Sequence, residues 1–203
     1  TNSSSQSTTV SMTQARSLTA NFSIKSYALS LASSSGGTVL GIGTFNHGTS
    51  TTIVANPDTG YDFVGWSGDG VNDSGSATTT VSMIQARSLT ANFSIKNYTL
   101  SLSSGLGGSV SGDGSFNHGT NPTVVASSNP GYDFTGWTGQ GVTNSNSATT
   151  TVSMTQARSL TANFSLRSYV LSLTASSGGS VSGAGSFNHG TTPTVVANPN
   201  VGY

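Results

Sequence analysis

Apolar residues recur at every second position over short runs, and Gly, Asn, Asp, Ser and Pro gather between the runs. Tyr27, Leu29 and Leu31 alternate with Ala28 and Ser30, and Gly36-Gly37 marks a turn before a short run at 38–43. The stretch Phe45-Asn46-His47-Gly48 reads as a loop. A run at 51–55, a turn at 57–60 and a run at 61–66 follow. A loop rich in Gly, Asn and Asp spans 67–76. A last hairpin then pairs 78–83 with 88–95 about Ile84-Gln85-Ala86-Arg87. Alternation with period two, bounded by turn residues, is the pattern of half-buried strands. Val, Thr and aromatic side chains fill the runs, where they pack on a pleated surface. No window carries the roughly 3.6-residue apolar period of a helix. The predicted helix content is near zero, with one turn at 85–87 as its upper bound.

The same order of runs returns along the chain. Met12, Met83 and Met154 stand 71 residues apart, as do His47, His118 and His189. Residues 24–94 are one complete copy and 95–165 the next. Residues 1–23 match the C-terminal part of a copy, and 166–203 match the N-terminal part. A period of 71 residues exceeds the roughly 20–50 residues of solenoid units and propeller blades. It suits a small module strung in tandem.

The junctions carry their own signal. Leu18, Ala20, Phe22 and Ile24 share one parity, and Tyr27, Leu29 and Leu31 have the other. A one-residue shift of phase turns every side chain to the opposite face. The shift falls at Lys25-Ser26, Lys96-Asn97 and Arg167-Ser168. The last strand of one module therefore runs almost directly into the first of the next, with no Gly/Ser tract to act as a flexible linker. The expected architecture is all-β: small sandwich-like or barrel-like modules in a rod-like array.

Composition narrows the function. Charged residues make up 6% of the 203, and six Lys and Arg balance six acids, all of them Asp. Scattered single cations cannot neutralise a run of phosphates, so no nucleic-acid partner is expected. With no Cys, disulfide and thiolate chemistry is excluded. No apolar run approaches the roughly 20 residues of a spanning helix, so no membrane insertion is expected in this segment. Roughly a third of the residues are Ser or Thr and 26 are Gly, yet the regular apolar spacing argues against disorder.

Several strings resemble one family. They are Gly-Gly-Thr-Val (36–39), His-Gly-Thr (47–49), Gly-Tyr-Asp-Phe-Val-Gly-Trp (60–66), Thr-Val-Ser-Met (80–83) and Leu-Thr-Ala-Asn-Phe (89–93). Together they resemble the divergent internalin-B B-repeat modules of bacterial surface proteins, of Listeria–Bacteroides type, and the resemblance covers the whole chain. It implies small β-rich modules in tandem on secreted or wall-associated proteins, without catalytic residues. It also brings in β-grasp-like modules as the alternative fold.

Each candidate constellation has a bland counterpart. Trp66 and Trp137 are candidate stacking platforms for a sugar ring. Beside Tyr61 and Phe63, or Tyr132 and Phe134, a core anchor is the favoured reading. The Asn-His-Gly loops (Asn46, His47; Asn117, His118; Asn188, His189) are candidate ligand contacts, with turn residues the favoured reading. A metal would need convergent partners, and the nearest acid does not recur, since Asp113 aligns with Ile42 and Ala184. The stretch 67–73 hints at calcium through Asp69 and Asp73. Its counterpart 138–144 has no carboxylate, which points to turn chemistry. Asp62 and Asp133 recur within the Trp strand, with Arg87, Arg158 or a loop amide as expected partners. Asn21, Asn92 and Asn163 stand in Asn-Phe-Ser sequons on the face expected to point outward.

No triad, paired carboxylates or phosphate loop repeats, so neither enzyme activity nor a cofactor is expected. The expected role is a structural repeat region of an extracellular, cell-surface fibre, stalk or adhesin, with a glycan-binding module as the alternative. The expected partners are adjacent modules or copies of itself. Val10, Met12, Leu18 and Phe22 at one end, and Tyr169, Leu171 and Val195 at the other, carry apolar side chains that a complete module would cover. Two readings stay open: a window on a longer array, or ends that complement each other between molecules by strand addition.

Overall fold

The computed structural model describes residues 6–203. Among these residues there are strands and no helix. The first complete module contains β1 (Ser26–Ser33), β2 (Gly37–Leu40), β3 (Gly43–Asn46), β4 (Thr49–Pro57), β5 (Tyr61–Ser67), β6 (Thr78–Met83) and β7 (Arg87–Ile95). The chain alternates between two sheets at every connection. Odd-numbered strands form a four-stranded sheet in the order β3-β1-β7-β5, and even-numbered strands a three-stranded sheet in the order β2-β4-β6.

The period-two pattern dictates what lies between the sheets. Leu29, Trp66, Leu89 and Ala91 from one sheet meet Ile53, Ala55, Val81 and Met83 from the other, and all eight are buried. Fully burying a side chain such as Leu or Met contributes roughly 1.5–3 kcal/mol, and both sheets contribute such residues. The modules are sandwiches. The face that a β-grasp module would cover with a helix is covered here by the three-stranded sheet.

The run predicted at 38–43 is two elements. Gly41 takes φ of +113°, where a side chain is strained, and a Cβ there would lie 2.6 Å from the Thr52 carbonyl. The chain breaks at this point and passes from one sheet to the other. Phe45 and Asn46, expected in a loop, belong to β3 and pair with Tyr27 and Ser26.

β1 lies parallel to β7, with Leu29 opposite Arg87 and Ser33 opposite Ala91, while the other pairs of the module are antiparallel. A parallel pair needs a long crossover, and here the crossover is the rest of the module. Its consequence is directional: the chain enters at one end of the central strand pair and leaves at the opposite end.

The second complete module repeats this plan with β8 (Asn97–Ser104), β9 (Gly108–Ser111), β10 (Gly114–Asn117), β11 (Thr123–Ser128), β12 (Tyr132–Thr138), β13 (Thr149–Thr151) and β14 (Arg158–Leu166). Its sheets run β10-β8-β14-β12 and β13-β11-β9. Leu100, Val124, Val152, Met154 and Leu160 fill its core. In the third copy, β15 (Ser168–Leu171) pairs with β17 (Gly185–Asn188), and β16 (Gly179–Ser182) with β18 (Val196–Pro199). Residues 6–25 contain no strand, so the hairpin expected there is not formed. The same sequence in β7 is flanked by β1 and β5, and among the described residues nothing flanks it here.

Candidate functional site

The β5 and β12 strands place their tryptophans inward. Trp66 is 6% exposed and Trp137 4%, so most of each ring lies in the core. Each indole Nε1 donates to a carbonyl of the loop that follows, Ser76 or Ser147, at 3.1 Å. Phe63 packs edge-on against Phe93 at 5.9 Å and tilts against Trp66 at 5.8 Å. The second module repeats the trio with Phe134, Phe164 and Trp137.

A bulge between Phe63 and Gly65 brings this strand into register, and the equivalent lies between Phe134 and Gly136. Asn92 Nδ2 donates to the Gly65 carbonyl at 3.1 Å, and Asn163 Nδ2 to that of Gly136 at 3.1 Å. Both asparagines are half-buried, in phase with Ser88, Thr90 and Ser94 or Ser159, Thr161 and Ser165 rather than with the core residues of their strands, and from that face they hold the bulges. Their position in the repeated Ala-Asn-Phe opposite a Phe-x-Gly-Trp string was the available signal.

The loop at 67–76 is built by turn chemistry. Asp73 Oδ1 accepts from the Gly75 N–H at 2.9 Å, and Asn144 Oδ1 accepts from Asn146 N–H at 3.0 Å, so amide and carboxylate do one task. The buried hydroxyls of Thr79 and Thr150 accept the backbone N–H of Asp73 and Asn144, each at 3.1 Å. Among the described residues no three of His, Asp or Glu converge as a metal site.

The Asn-His-Gly loops lie at the junctions between repeats. Asn46, Asn117 and Asn188 are exposed, and each backbone carbonyl accepts a threonine hydroxyl three residues on, from Thr49, Thr120 or Thr191, at 2.8 Å. Each histidine ring meets a tyrosine of its own repeat: His47 on Tyr27, His118 on Tyr98 and His189 on Tyr169, with centroids 5.9, 6.0 and 6.1 Å apart. His47 and His189 are exposed, whereas His118 is half-buried.

One residue separates the modules. β7 ends at Ile95, β8 begins at Asn97, and Lys96 is bonded to both modules. Its N–H donates to Gly60 of the first module at 2.8 Å, and its carbonyl accepts from His118 N–H of the second at 2.8 Å. Arg167 is bonded in the same way between Gly131 and His189, both at 2.8 Å.

The recurring aspartates point to these same residues and away from the arginines expected. Asp62 pairs with Lys96 at 3.4 Å. Asp133 accepts from Arg167 Nε at 2.8 Å and Nη2 at 2.7 Å. Those hydrogen bonds hold the Asp133 carboxyl below its ordinary range, against an opposing desolvation, and push the Arg167 guanidinium up. Arg87 and Arg158 instead reach back within their hairpins to the Ser82 and Ser153 carbonyls at 3.4 and 3.2 Å.

At the ends, positions that are buried in the complete modules are uncovered. Met12 is 72% exposed where Met83 and Met154 are 0%, and Leu18 is 72% where Leu89 and Leu160 are 1%. Phe22 is 95% exposed, Tyr169 53% and Val195 54%. Val10 and Leu171 are half-buried. In the third copy Tyr169, Leu171 and Phe187, the counterparts of Tyr27, Leu29 and Phe45, line an open cleft.

No curated protein and no solved structure matches the chain significantly. The divergent InlB B-repeat domain family matches at residues 27–97, 98–168 and 169–203, three tandem copies whose boundaries fall at the strand-to-strand junctions just described. The chain therefore belongs to the divergent InlB B-repeat domain family, as two complete all-β repeats with further repeat sequence on either side.

Proposed function

We propose that this chain is a non-catalytic structural repeat region of an extracellular, cell-surface bacterial fibre, stalk or adhesin. The observation that supports the reading is the junction. Lys96 is the only residue between two strands, and its N–H and C=O are bonded to different modules. A linker without a free backbone group has no slack. The parallel β1–β7 pair adds direction, because each module passes the chain on from the end opposite its entry. Rigid joints and one direction of travel make a rod.

Small-angle scattering of the chain tests this. An elongated profile fitted by one conformation is expected, and Gly-Gly-Ser inserted between Ile95 and Lys96 should broaden it while both modules stay folded. A broad ensemble of inter-module angles in the unaltered chain would overturn the rod.

The uncovered ends support a further step, head-to-tail strand addition between copies. Residues 10–22 carry the sequence of β6 and β7, and residues 169–196 that of β1 to β4. A contact of this kind does not close on itself and grows a filament. Mass measured by light scattering should rise with concentration while amides at both ends gain protection from exchange. A strict monomer with unprotected ends would remove the filament and leave the array. Tryptophan fluorescence against a carbohydrate panel separates the rod from the glycan-binding alternative. Rings this buried should not respond, and quenching on sugar addition would favour the binder.

A further inference from the structure

At both joints a histidine ring of one repeat stands on a glycine of the repeat before it. A Cβ added to Gly60 would overlap Cδ2 and Cγ of His118, and one added to Gly131 would overlap the same atoms of His189. These glycines sit in equivalent turns, at φ of +85° and +83°. Each ring also meets the tyrosine of its own repeat, at 61° to Tyr98 and 54° to Tyr169. Nδ1 of His118 is buried with no hydrogen-bond partner, so nothing in the joint engages that nitrogen and the ring acts there through its shape.

We propose that each Tyr–His pair is a docking surface for the glycine turn of the preceding repeat, and that this contact locks the angle between repeats. The partner it fits is another repeat of this kind. The glycine is required twice over: its φ suits the turn, and its missing side chain leaves room for the imidazole. Backbone bonds from Lys96 to Gly60 and from His118 to Lys96 tether the two repeats. The His118 ring seated on Gly60 adds a side-chain contact between the same two residues, beside the tether, and closes off rotation about it. The inference concerns only the joint and stands whether or not the array is a fibre.

A double-mutant cycle in the full chain tests it, because the two demands on the glycine can be separated. Gly48 has φ of +82° with nothing within 4 Å of a Cβ. Gly48→Ala therefore carries the backbone penalty alone. The readout is amide exchange at Lys96 and His118, with Ile53 and Val124 reporting whether both cores remain folded. Gly60→Ala should speed exchange at the joint by about tenfold or more, whereas Gly48→Ala should leave it unchanged. In a His118→Ala background the joint is already loose and only the backbone penalty at Gly60 remains, so adding Gly60→Ala should speed exchange at Lys96 far less than it does with the ring present. Equal exchange at the joint in the Gly60→Ala and Gly48→Ala chains would overturn the proposal. So would a Gly60→Ala effect that persists undiminished without the ring. If Gly60→Ala unfolds the first module outright, the double mutant decides: a folded first module supports the clash with the ring, and an unfolded one overturns it.

Discussion

The two complete modules share topology, core positions and both junction bonds, yet one of their sheets is built differently. In the first, β4 and β6 pair over six residues, from Thr49 opposite Met83 to Val54 opposite Thr78. In the second, β11 and β13 pair over three, from Thr123 opposite Thr151 to Val125 opposite Thr149. The cause is Pro122, which stands where the first module has Thr51. Proline has no N–H, so of the two bonds a facing pair would exchange only Val152 N–H to the Pro122 carbonyl remains, at 3.0 Å. Pro122 directly precedes the first residue of β11, ahead of the stretch that pairs with β9, and at the start of a strand such a loss is tolerated. The core does not register it: Val152 and Met154 are 0% exposed, as are Val81 and Met83. Past the proline, Met154 N–H still donates to the Thr120 carbonyl and Gly119 N–H to the Met154 carbonyl, both at 3.0 Å, so side-chain packing and these remaining bonds together hold the end of this sheet in place.

If packing rules in both modules, its removal should cost both alike. Trp66→Ala and Trp137→Ala should each destabilise their own module by about 3–5 kcal/mol, and the two losses should agree within about 1 kcal/mol. Denaturant titration followed by amide exchange separates the modules, which a single melting curve would merge. A loss under about 1 kcal/mol at either site would mean that the ring is not a core anchor.

A sharper break comes at the methionines. Met83→Ala and Met154→Ala should each cost about 2–5 kcal/mol, although only Met83 lies in a regular strand. A far smaller loss at Met154 would show that the shortened ladder has released its side chain.

The proline itself should matter less. Pro122→Thr restores one donor and should stabilise the second module by about 0.5–1.5 kcal/mol, extending exchange protection toward Met154. Thr51→Pro should remove a similar amount from the first. If Thr51→Pro instead uncovered Met83, the ladder and not the packing would be in charge.

Pro122 could be read from the sequence, and its consequence could not. The same division runs through the molecule. The repeat, the alternation along β1 and β7 and the change of phase at Lys96-Asn97 are all written in neighbouring residues, since period two and period 71 are local or self-comparing signals. Phe93 and Tyr98 sit on opposite parities in the chain and both pack on the core of their own module. The parallel pairing of β1 with β7 joins residues 58 apart, as Leu29 and Arg87 show, and no turn announces it. The crossing at Gly41 was hidden because apolar alternation continues through Val39 and Phe45. The role of the histidines was hidden for another reason. His118 acts on a glycine of the previous copy, and each Asn-His-Gly string read alone is a plausible turn.

The smallest expected effect compares the two ion pairs at the junctions. Asp133 is gripped by two nitrogens of Arg167, whereas Asp62 has one contact to Lys96 at 3.4 Å. Planar guanidinium offers two donors where an ammonium is a point charge. The Asp133 carboxyl is held below its ordinary range chiefly by the Arg167 hydrogen bonds. A carboxylate lowered on folding contributes stability that is present above its unfolded value, near 3.9, and is lost as pH falls through the lower folded value. Both groups are open to solvent, so the contribution is small and weakened by salt. Carbon-detected titration of Asp133 should give a midpoint below the ordinary aspartate value, and Arg167→Ala should return it there. Arg167→Lys should stop between the two, because one of the paired donors is lost. A midpoint unmoved by Arg167→Ala would mean that the side chains do not meet in solution. The second junction would then rest, like the first, on its backbone bonds and on the fit of its histidine.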